Sequence, residues 1–240
     1  MSSMKNLLLL LGMFFLSSTV FAQSRTWVKS RIAKTLVESH QVLSSNKKIK
    51  DGEAFIMNNG NQELARGKYK QGAKDSIWNF YSMSGNLIQV YDYTNSKLLY
   101  NITDDQTIVH ERVEIDTTGF IKPKIIVSKK IGGINLGFYL LFNEKLLPLE
   151  AKQQKDDVLM EYVFSISETG KLEGFSIDYS SVFYNAENKQ SINNLPADAY
   201  EFTPASINGK PVKSKLVYQV VLNIAQARDR GTYNIPTQNN

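Results

Sequence analysis

The sequence predicts a mainly β protein of the α+β type, in which an N-terminal module of β-hairpin repeats precedes a small sheet with one covering helix. Two observations carry this prediction. A pattern of turn residues and short apolar strands starts at Lys50 and recurs from Lys74. Three segments between residues 158 and 224 alternate apolar and polar side chains, as half-buried strands do. The chain has 240 residues, 42% of them hydrophobic and 21% charged, which suffices for one large or two small cores.

Residues 1–22 have the pattern of a secretory signal peptide. Lys5 precedes an apolar stretch from Leu7 to Leu16, and Val20-Phe21-Ala22 forms a cleavage site of small residues. The apolar stretch has about ten residues, whereas a membrane-spanning helix needs about 20, so we expect cleavage rather than a retained anchor. The chain has no cysteine, which excludes a lipoprotein anchor and suits an oxidising compartment. We therefore expect an exported protein that is periplasmic or associated with the outer membrane.

Residues 23–118 are expected to form the repeat module. Gln23 to Asn46 fits a strand and an amphipathic helix equally well. From Lys50 onward, each repeat contains a polar turn, a strand, an Asn/Gly turn and a second strand, which predicts one hairpin per repeat. A partial third copy is expected around Val113, with its turn at Thr118-Gly119. Such hairpins bury a face only by stacking on their neighbours.

The aromatic side chains of the repeats allow two interpretations. They include Trp78, Tyr81, Tyr91 and Tyr93. Regularly spaced aromatics on hairpins can form a platform for a carbohydrate or a lipid, or they can be the core of the repeats themselves. We favour the second interpretation, because a stacked hairpin needs large apolar side chains on its buried face.

Residues 119–225 are expected to form the second module. The dense apolar run from Gly133 to Leu147 predicts the helix that covers the sheet. A strand from Val158 to Ser167, the turn Glu168-Thr169-Gly170-Lys171 and a second strand predict a hairpin. Leu216 to Ile224 alternates in the same way and predicts the last strand, and residues 226–240 are expected to be a disordered tail.

The second module resembles the TonB C-terminal domain over about residues 122–224. The resemblance depends on Pro148 followed by Glu150-Ala151-Lys152, on the Glu168–Lys171 hairpin, and on Phe202-Thr203-Pro204-Ala205 followed by Asn208-Gly209-Lys210-Pro211-Val212. The chain departs from the family in two places: Leu147 stands where the family has Tyr, and the polar segment 185–200 lacks the pattern of the family's second helix.

The repeats resemble the MORN type over about residues 50–115. The second copy carries the resemblance, with Gly67-x-Tyr69, Lys74-Asp75, Trp78 and Gly85-Asn86-Leu87. Ser76 replaces the usual glycine.

The sequence predicts no catalytic residue, no metal site and no cofactor. The two histidines, His40 and His110, have no ligand partner at helical spacing, and no thiolate is present. Asp116-Thr117-Thr118-Gly119 is better interpreted as a turn than as an aspartic-protease motif, because it has one residue too many and no second copy. The 28 basic and 23 acidic residues are interspersed, which argues against a nucleic-acid surface.

The resemblance implies a candidate docking edge on the last strand. In the TonB family this strand pairs with a short segment of an outer-membrane transporter. Carried over to this chain, the edge runs from Lys215 to Asn223, with Val217, Gln219 and Val221 on its less buried face. Two alternatives remain open, since the N-terminal module or a second copy of the chain can cover the same edge.

The sequence therefore favours an exported, non-enzymatic protein–protein interaction module of the cell envelope that docks by strand addition. The expected partner is an outer-membrane transporter or another envelope protein, and a homo-oligomer is a further expectation. The alternative is a TonB-type energy transducer for outer-membrane transport. A transducer needs a retained anchor and a long Pro-rich spacer, whereas the six prolines of this chain are scattered, which argues against direct transduction.

Overall fold

The computed structural model describes residues 24–102, 109–141, 148–153 and 157–222. Antiparallel strands dominate these residues, which confirms the predicted mainly β fold class. The expected signal peptide at residues 1–22 and the expected tail at residues 226–240 lie outside the described part.

The first sheet is a seven-stranded meander in which each strand pairs with the next. Its strands are β1 (Arg25–Ala33), β2 (Leu36–Leu43), β3 (Asn46–Asn58), β4 (Glu63–Lys70), β5 (Ala73–Tyr81), β6 (Leu87–Asp92) and β7 (Lys97–Asn101). The hairpins β3–β4 and β5–β6 are the two predicted repeats, one hairpin each. The ambiguous N-terminal segment forms the strands β1 and β2 rather than a helix.

The aromatic side chains of the repeats form the core of the first sheet. Trp78 and Phe80 are buried, Tyr69 packs edge-on against Trp78 with ring centroids 5.4 Å apart, and the Trp78 Nε1–H donates to the Lys68 carbonyl at 3.1 Å. Gly67 allows this arrangement, because a Cβ there would lie 2.2 Å from the Trp78 ring. The interpretation that these aromatics are the core of the repeats holds for Trp78 and Tyr91, which are buried.

The second half of the chain alternates short and long strands with small helices. In chain order these are β8 (Val109–Glu114), β9 (Ile125–Ile126), β10 (Lys129–Lys130), α1 (Gly133–Leu141), α2 (Leu149–Lys152), β11 (Val158–Ile166), β12 (Leu172–Ser180), β13 (Asn185–Gln190), a 3-10 helix (Ala197–Tyr200), β14 (Phe202–Thr203), β15 (Ala205–Ile207), β16 (Lys210–Val212) and β17 (Ser214–Leu222).

The long strands form a second sheet in the order β13-β12-β11-β17-β8. The predicted hairpin is β11–β12 and the predicted last strand is β17. The partial third repeat expected around Val113 is wrong, because β8 pairs with β17 instead of forming a hairpin with the first sheet. The second sheet thus takes a strand from before the module boundary expected at residue 118. The short strands form two further small sheets, β10-β14 and β16-β15-β9.

Helix α1 covers the apolar face of the second sheet, as the sequence predicts. Phe138 lies edge-on to Tyr162 of β11, with ring centroids 5.3 Å apart, and 6.2 Å from the ring of Tyr218 on β17. The same helix touches the first sheet, where the Tyr139 hydroxyl contacts the Met83 sulfur at 3.5 Å. Residues 142–147, the end of the predicted helix, lie outside the described part. The segment 185–200 holds β13 and the 3-10 helix in place of a second α-helix.

A buried set of charged groups joins the first sheet to the 3-10 helix and its flanking residues, and these to β10. Lys74 of β5 lies 2.8 Å from the carboxylate of Asp198 in the 3-10 helix and 3.5 Å from that of Glu201, which also accepts from the Tyr93 hydroxyl at 2.8 Å. Lys130 of β10 donates to the backbone carbonyls of Ile131, Asp198 and Glu201 at 2.7 to 2.9 Å. These bonds satisfy charges that would otherwise be costly to bury.

Candidate partner-binding edge

The structure places the predicted docking residues on an interior strand. β17 pairs with β11 on one side and with β8 on the other, so that Lys215 lies between Ser165 and Glu114. The expectation of an open edge is therefore wrong from Lys215 to Val220. The strand that covers it is β8, which lies within residues 23–118 but belongs to the second sheet and not to the sheet of the repeats.

The five residues of that edge have different surroundings. Val217 is fully buried, with 0% of its surface exposed, Gln219 pairs across the ladder with His110, and Val221 is exposed beyond the end of β8. Asn223 lies outside the described residues. Because backbone groups of this strand are paired on both sides, no partner strand can add to it while β8 is in place.

Side chains on the outer face tie β8 to the rest of the sheet. Arg112 on β8 donates to the Glu161 carboxylate on β11 from both terminal guanidinium nitrogens, and the Gln219 side chain of β17 donates to the same carboxylate. The bond from Arg112 lowers the pKa of Glu161, so the carboxylate stays ionised at neutral pH. Three adjacent strands are thus joined through one carboxylate.

An open edge of the second sheet is instead β13. Among the described residues this strand pairs only with β12, in register from Phe175 opposite Gln190 to Ser180 opposite Asn185. Over the six residues Asn185–Gln190, its outer backbone groups have no strand partner in the part of the chain that the structure describes. Such an edge is a template for an extended peptide, because each unpaired N–H and C=O can join a new ladder.

Exposed apolar side chains stand at the beginning of this edge. Val182 and Phe183, in the turn between β12 and β13, are 72% and 83% exposed. Leu149 of α2 is also exposed. Its neighbour Glu150 lies near Tyr184. Burial raises the pKa of the Tyr184 hydroxyl, and the negative charge of Glu150 raises it further. Tyr184 in turn packs against Tyr179, with ring centroids 6.5 Å apart. The turn is therefore anchored from behind while Val182 and Phe183 project into solvent.

The side chains of β13 protect the edge against indiscriminate pairing. Glu187 and Lys189 are exposed on one face, 4.0 Å apart, and contribute little energy as a surface ion pair. Charged residues on an edge strand oppose aggregation with unrelated strands. We name Val182, Phe183 and the strand Asn185–Gln190 together the β13 edge.

The polar groups elsewhere in the described residues do not form a catalytic constellation. His40 lies buried beside Glu38, which accepts from the Tyr69 hydroxyl at 2.7 Å; burial lowers the pKa of His40 against the attraction of Glu38. His110 lies on β8 in the other sheet, so the two histidines are not brought together. The described residues hold no group of three His, Asp or Glu side chains that is able to bind a metal ion.

A small cavity lies between α1 and the second sheet, and it is almost entirely apolar. It is lined by Lys130, Ile134, Gly137, Phe138, Leu141, Tyr162, Phe164, Phe175 and Tyr218. Its walls belong to the core that positions the sheet, and it offers no convergent set of polar groups of the kind that orients a substrate.

Comparison with protein-family models, with curated proteins and with solved structures gives no match. Within the described residues, no helix has the length and apolar character needed to cross a lipid bilayer.

Sequence reasoning missed β13 for a physical reason. The sequence of β13, Asn185-Ala186-Glu187-Asn188-Lys189-Gln190, shows no alternation of apolar and polar residues. A strand at the margin of a sheet buries little surface on either face, so it needs few apolar side chains. The useful signal was the pair Val182-Phe183, two large apolar residues directly before the polar segment 185–200.

Proposed function

We propose that the chain is an exported, non-enzymatic interaction module of the cell envelope that captures an extended segment of a partner protein at the β13 edge. The single observation that carries the proposal is that a six-residue edge strand, which among the described residues is paired only on the side of β12, lies next to the exposed side chains of Val182 and Phe183. Backbone pairing supplies affinity in strand addition, and pockets or patches for alternate side chains supply selectivity.

The rest of the sheet provides a rigid support for such a partner strand. β13 is attached to β12, which pairs with β11 through the buried residues Phe175, Ile177 and Tyr179. A partner strand that adds to β13 extends a five-stranded sheet and has apolar residues within reach at one end. We expect the partner segment to carry apolar side chains at the end that meets Phe183.

The resemblance to the TonB C-terminal domain supports an envelope partner, with an outer-membrane transporter as the leading candidate. The family uses the last strand as its docking edge, whereas here β8 pairs with that strand. For this reason we favour docking at β13 over energy transduction through β17.

A capture experiment with matched variants tests the proposal. The chain from Gln23 onward is tagged and used to isolate partners from solubilised envelope. We expect the double variant Val182→Ser/Phe183→Ser to lose the partner. Leu99→Ser is the control, because Leu99 is an exposed apolar residue on β7 of the other sheet. Equal capture by the double variant and the wild type would contradict docking at the β13 edge. A self-association that disappears with the double variant would identify a second copy of the chain as the occupant.

A further inference from the structure

A second exposed apolar surface lies far along the chain from the β13 edge. Five of the eight residues from 120 to 127 are large apolar residues with exposed side chains: Phe120, Ile121, Ile125, Ile126 and Val127. Ile121 is 94% exposed, which is unusual for an isoleucine of a folded domain. We call residues 120–127 the apolar loop.

Lysine side chains surround this loop. Lys122 and Lys124 lie within it and are exposed, and Lys210 is exposed on β16, which shares a small sheet with β9 on the other side of β15. Lys124 is fixed beside the turn that precedes Lys210, because its N–H donates to the Asn208 side chain at 2.9 Å and its carbonyl accepts from the Asn208 N–H at 2.8 Å. An acidic residue that precedes the loop, Asp116, already accepts from the Thr118 N–H at 2.9 Å.

The apolar loop is held on a rigid base. Ile125 and Ile126 form β9 and pair with Ile207 and Ser206 of β15. After the loop, the buried hydroxyl of Ser128 lies 3.0 Å from that of Ser214, at the start of β17. The exposed side chains are thus presented by fixed backbone and not by a free chain end.

We propose that the apolar loop docks the protein onto the surface of a lipid bilayer that carries anionic headgroups. Apolar side chains on both sides of a pair of lysines match the two layers of such a surface. Isoleucine and phenylalanine enter the boundary of the acyl chains, while lysine ammonium groups stay at the headgroups. Basic residues beside an inserted apolar segment are attracted to the negative surface potential.

The shape of the loop favours a bilayer over a protein groove as the binding surface. Pro123 separates the pair Phe120-Ile121 from the run Ile125-Ile126-Val127, with a lysine on each side of the proline. The most exposed side chain, Ile121, projects from the loop instead of lining a concavity. A protruding apolar tip surrounded by cations matches the layered chemistry of a membrane interface.

Vesicle sedimentation tests the proposal with the chain from Gln23 onward, so that the apolar residues 7–16 do not contribute. The probes are vesicles of phosphatidylglycerol with phosphatidylethanolamine, and vesicles of phosphatidylcholine alone. We expect binding to the anionic vesicles that weakens at high salt, because screening shortens the range of the attraction. Ile121→Ser/Ile126→Ser is expected to reduce the affinity by about tenfold or more, since each buried isoleucine contributes on that scale.

Two control variants distinguish binding at this site from nonspecific hydrophobic binding and from nonspecific electrostatic binding. Phe183→Ser removes a large apolar side chain that is 83% exposed at the β13 edge, and it is expected to leave vesicle binding unchanged. Lys122→Gln/Lys124→Gln is expected to weaken binding, whereas Lys47→Gln/Lys48→Gln, which removes the same charge from the exposed beginning of β3, is not. Absence of binding to anionic vesicles, or equal loss with the two lysine pairs, would overturn the proposal. Retention of vesicle binding by Ile121→Ser/Ile126→Ser would also overturn it, and none of these results would affect partner capture at β13.

Discussion

Arg112 on β8 reaches over β17 and donates to the Glu161 carboxylate on β11 from both terminal guanidinium nitrogens, with Nη2 3.1 Å from Oε2. The two residues belong to strands that do not pair with each other, and the strand between them is the one that the sequence singled out as a docking edge. This bridge, together with the backbone ladder, keeps β17 in the interior of the sheet.

Removal of the Arg112 side chain should loosen β8 without unfolding the protein. In Arg112→Ala we expect faster hydrogen exchange at the amides of β8 and little change in global stability, since the ion pair is partly exposed. Arg66→Ala is the matched control, because Arg66 makes an exposed pair with Glu63 in the first sheet. Unchanged exchange in β8 of the Arg112 variant would show that the backbone ladder alone holds the strand.

A proline in the middle of β17 should destabilise the whole protein. Val217 lies opposite Val163 on one side and Arg112 on the other, so Val217→Pro removes a backbone N–H, and the ladder hydrogen bond that it donates, from a strand that is paired on both sides. We expect a loss of about 3 kcal/mol in the free energy of unfolding, measured by urea denaturation. Val221→Pro, beyond the end of β8, is expected to cost less. Equal stability of Val217→Pro and wild type would mean that β17 is an edge after all.

Gly67 should tolerate no side chain. In Gly67→Ala the new Cβ would lie 2.2 to 2.4 Å from three atoms of the buried Trp78 ring, and we expect a loss of about 3 kcal/mol or more from overpacking. Gly85→Ala is the comparison, since its Cβ meets nothing within 4 Å and only the positive φ of 81° is unfavourable, at about 1 kcal/mol. Thermal or urea unfolding of the two variants measures the difference. Similar losses in both would contradict the close approach of Gly67 to the indole.

The buried Lys130 should make stability depend on pH above neutrality. Burial lowers the pKa of Lys130 to about 7, against the attraction of Asp198 and Glu201. Between about pH 7 and pH 10 the unfolded chain keeps a proton that the folded protein has lost, so the free energy of unfolding rises with pH, by at most about 1.4 kcal/mol per unit. Below pH 7 the cost of burying the charge is fully present.

The comparison that isolates this effect is wild type against Lys130→Met. From pH 7.5 to pH 9 we expect the unfolding free energy of the wild type to rise relative to the variant by about 2 kcal/mol. Urea denaturation at several pH values measures the slope. Parallel curves for the two proteins would show that Lys130 stays charged in the folded state, held by its three carbonyl partners.

The strands and the covering helix were predictable because each has a strong periodic signal. Tyr162, Phe164 and Ile166 alternate with the less buried Val163 and Ser165 along β11. The turn at Gly170 adopts the positive φ of 76° that glycine allows. The hairpins of the repeats that start at Lys50 and Lys74 were predictable for the same reason. Local pattern and local structure agree in these segments.

The pairing of the strands was not predictable in the same way. Nothing in Val109–Glu114 distinguishes a strand that stacks on the first sheet from one that crosses to β17, because the choice depends on contacts with residues about a hundred positions away. The same long-range pairing decides which strand is left at the edge. For this reason we place the candidate site on β13 and not on β17, although the sequence predicted that β17 is a strand.

Site-specific photocrosslinking tests the central claim most directly, since the chain has no cysteine and each introduced cysteine is unique. A photoreactive maleimide is attached to Glu187→Cys on β13, to Val221→Cys on β17 and to Lys97→Cys on β7, and each protein is irradiated with solubilised envelope. We expect one partner to crosslink to position 187 and not to positions 221 and 97, and we expect Val182→Ser/Phe183→Ser to abolish this product. The same partner at position 221 and not at 187 would contradict docking at the β13 edge and restore β17 as the binding strand.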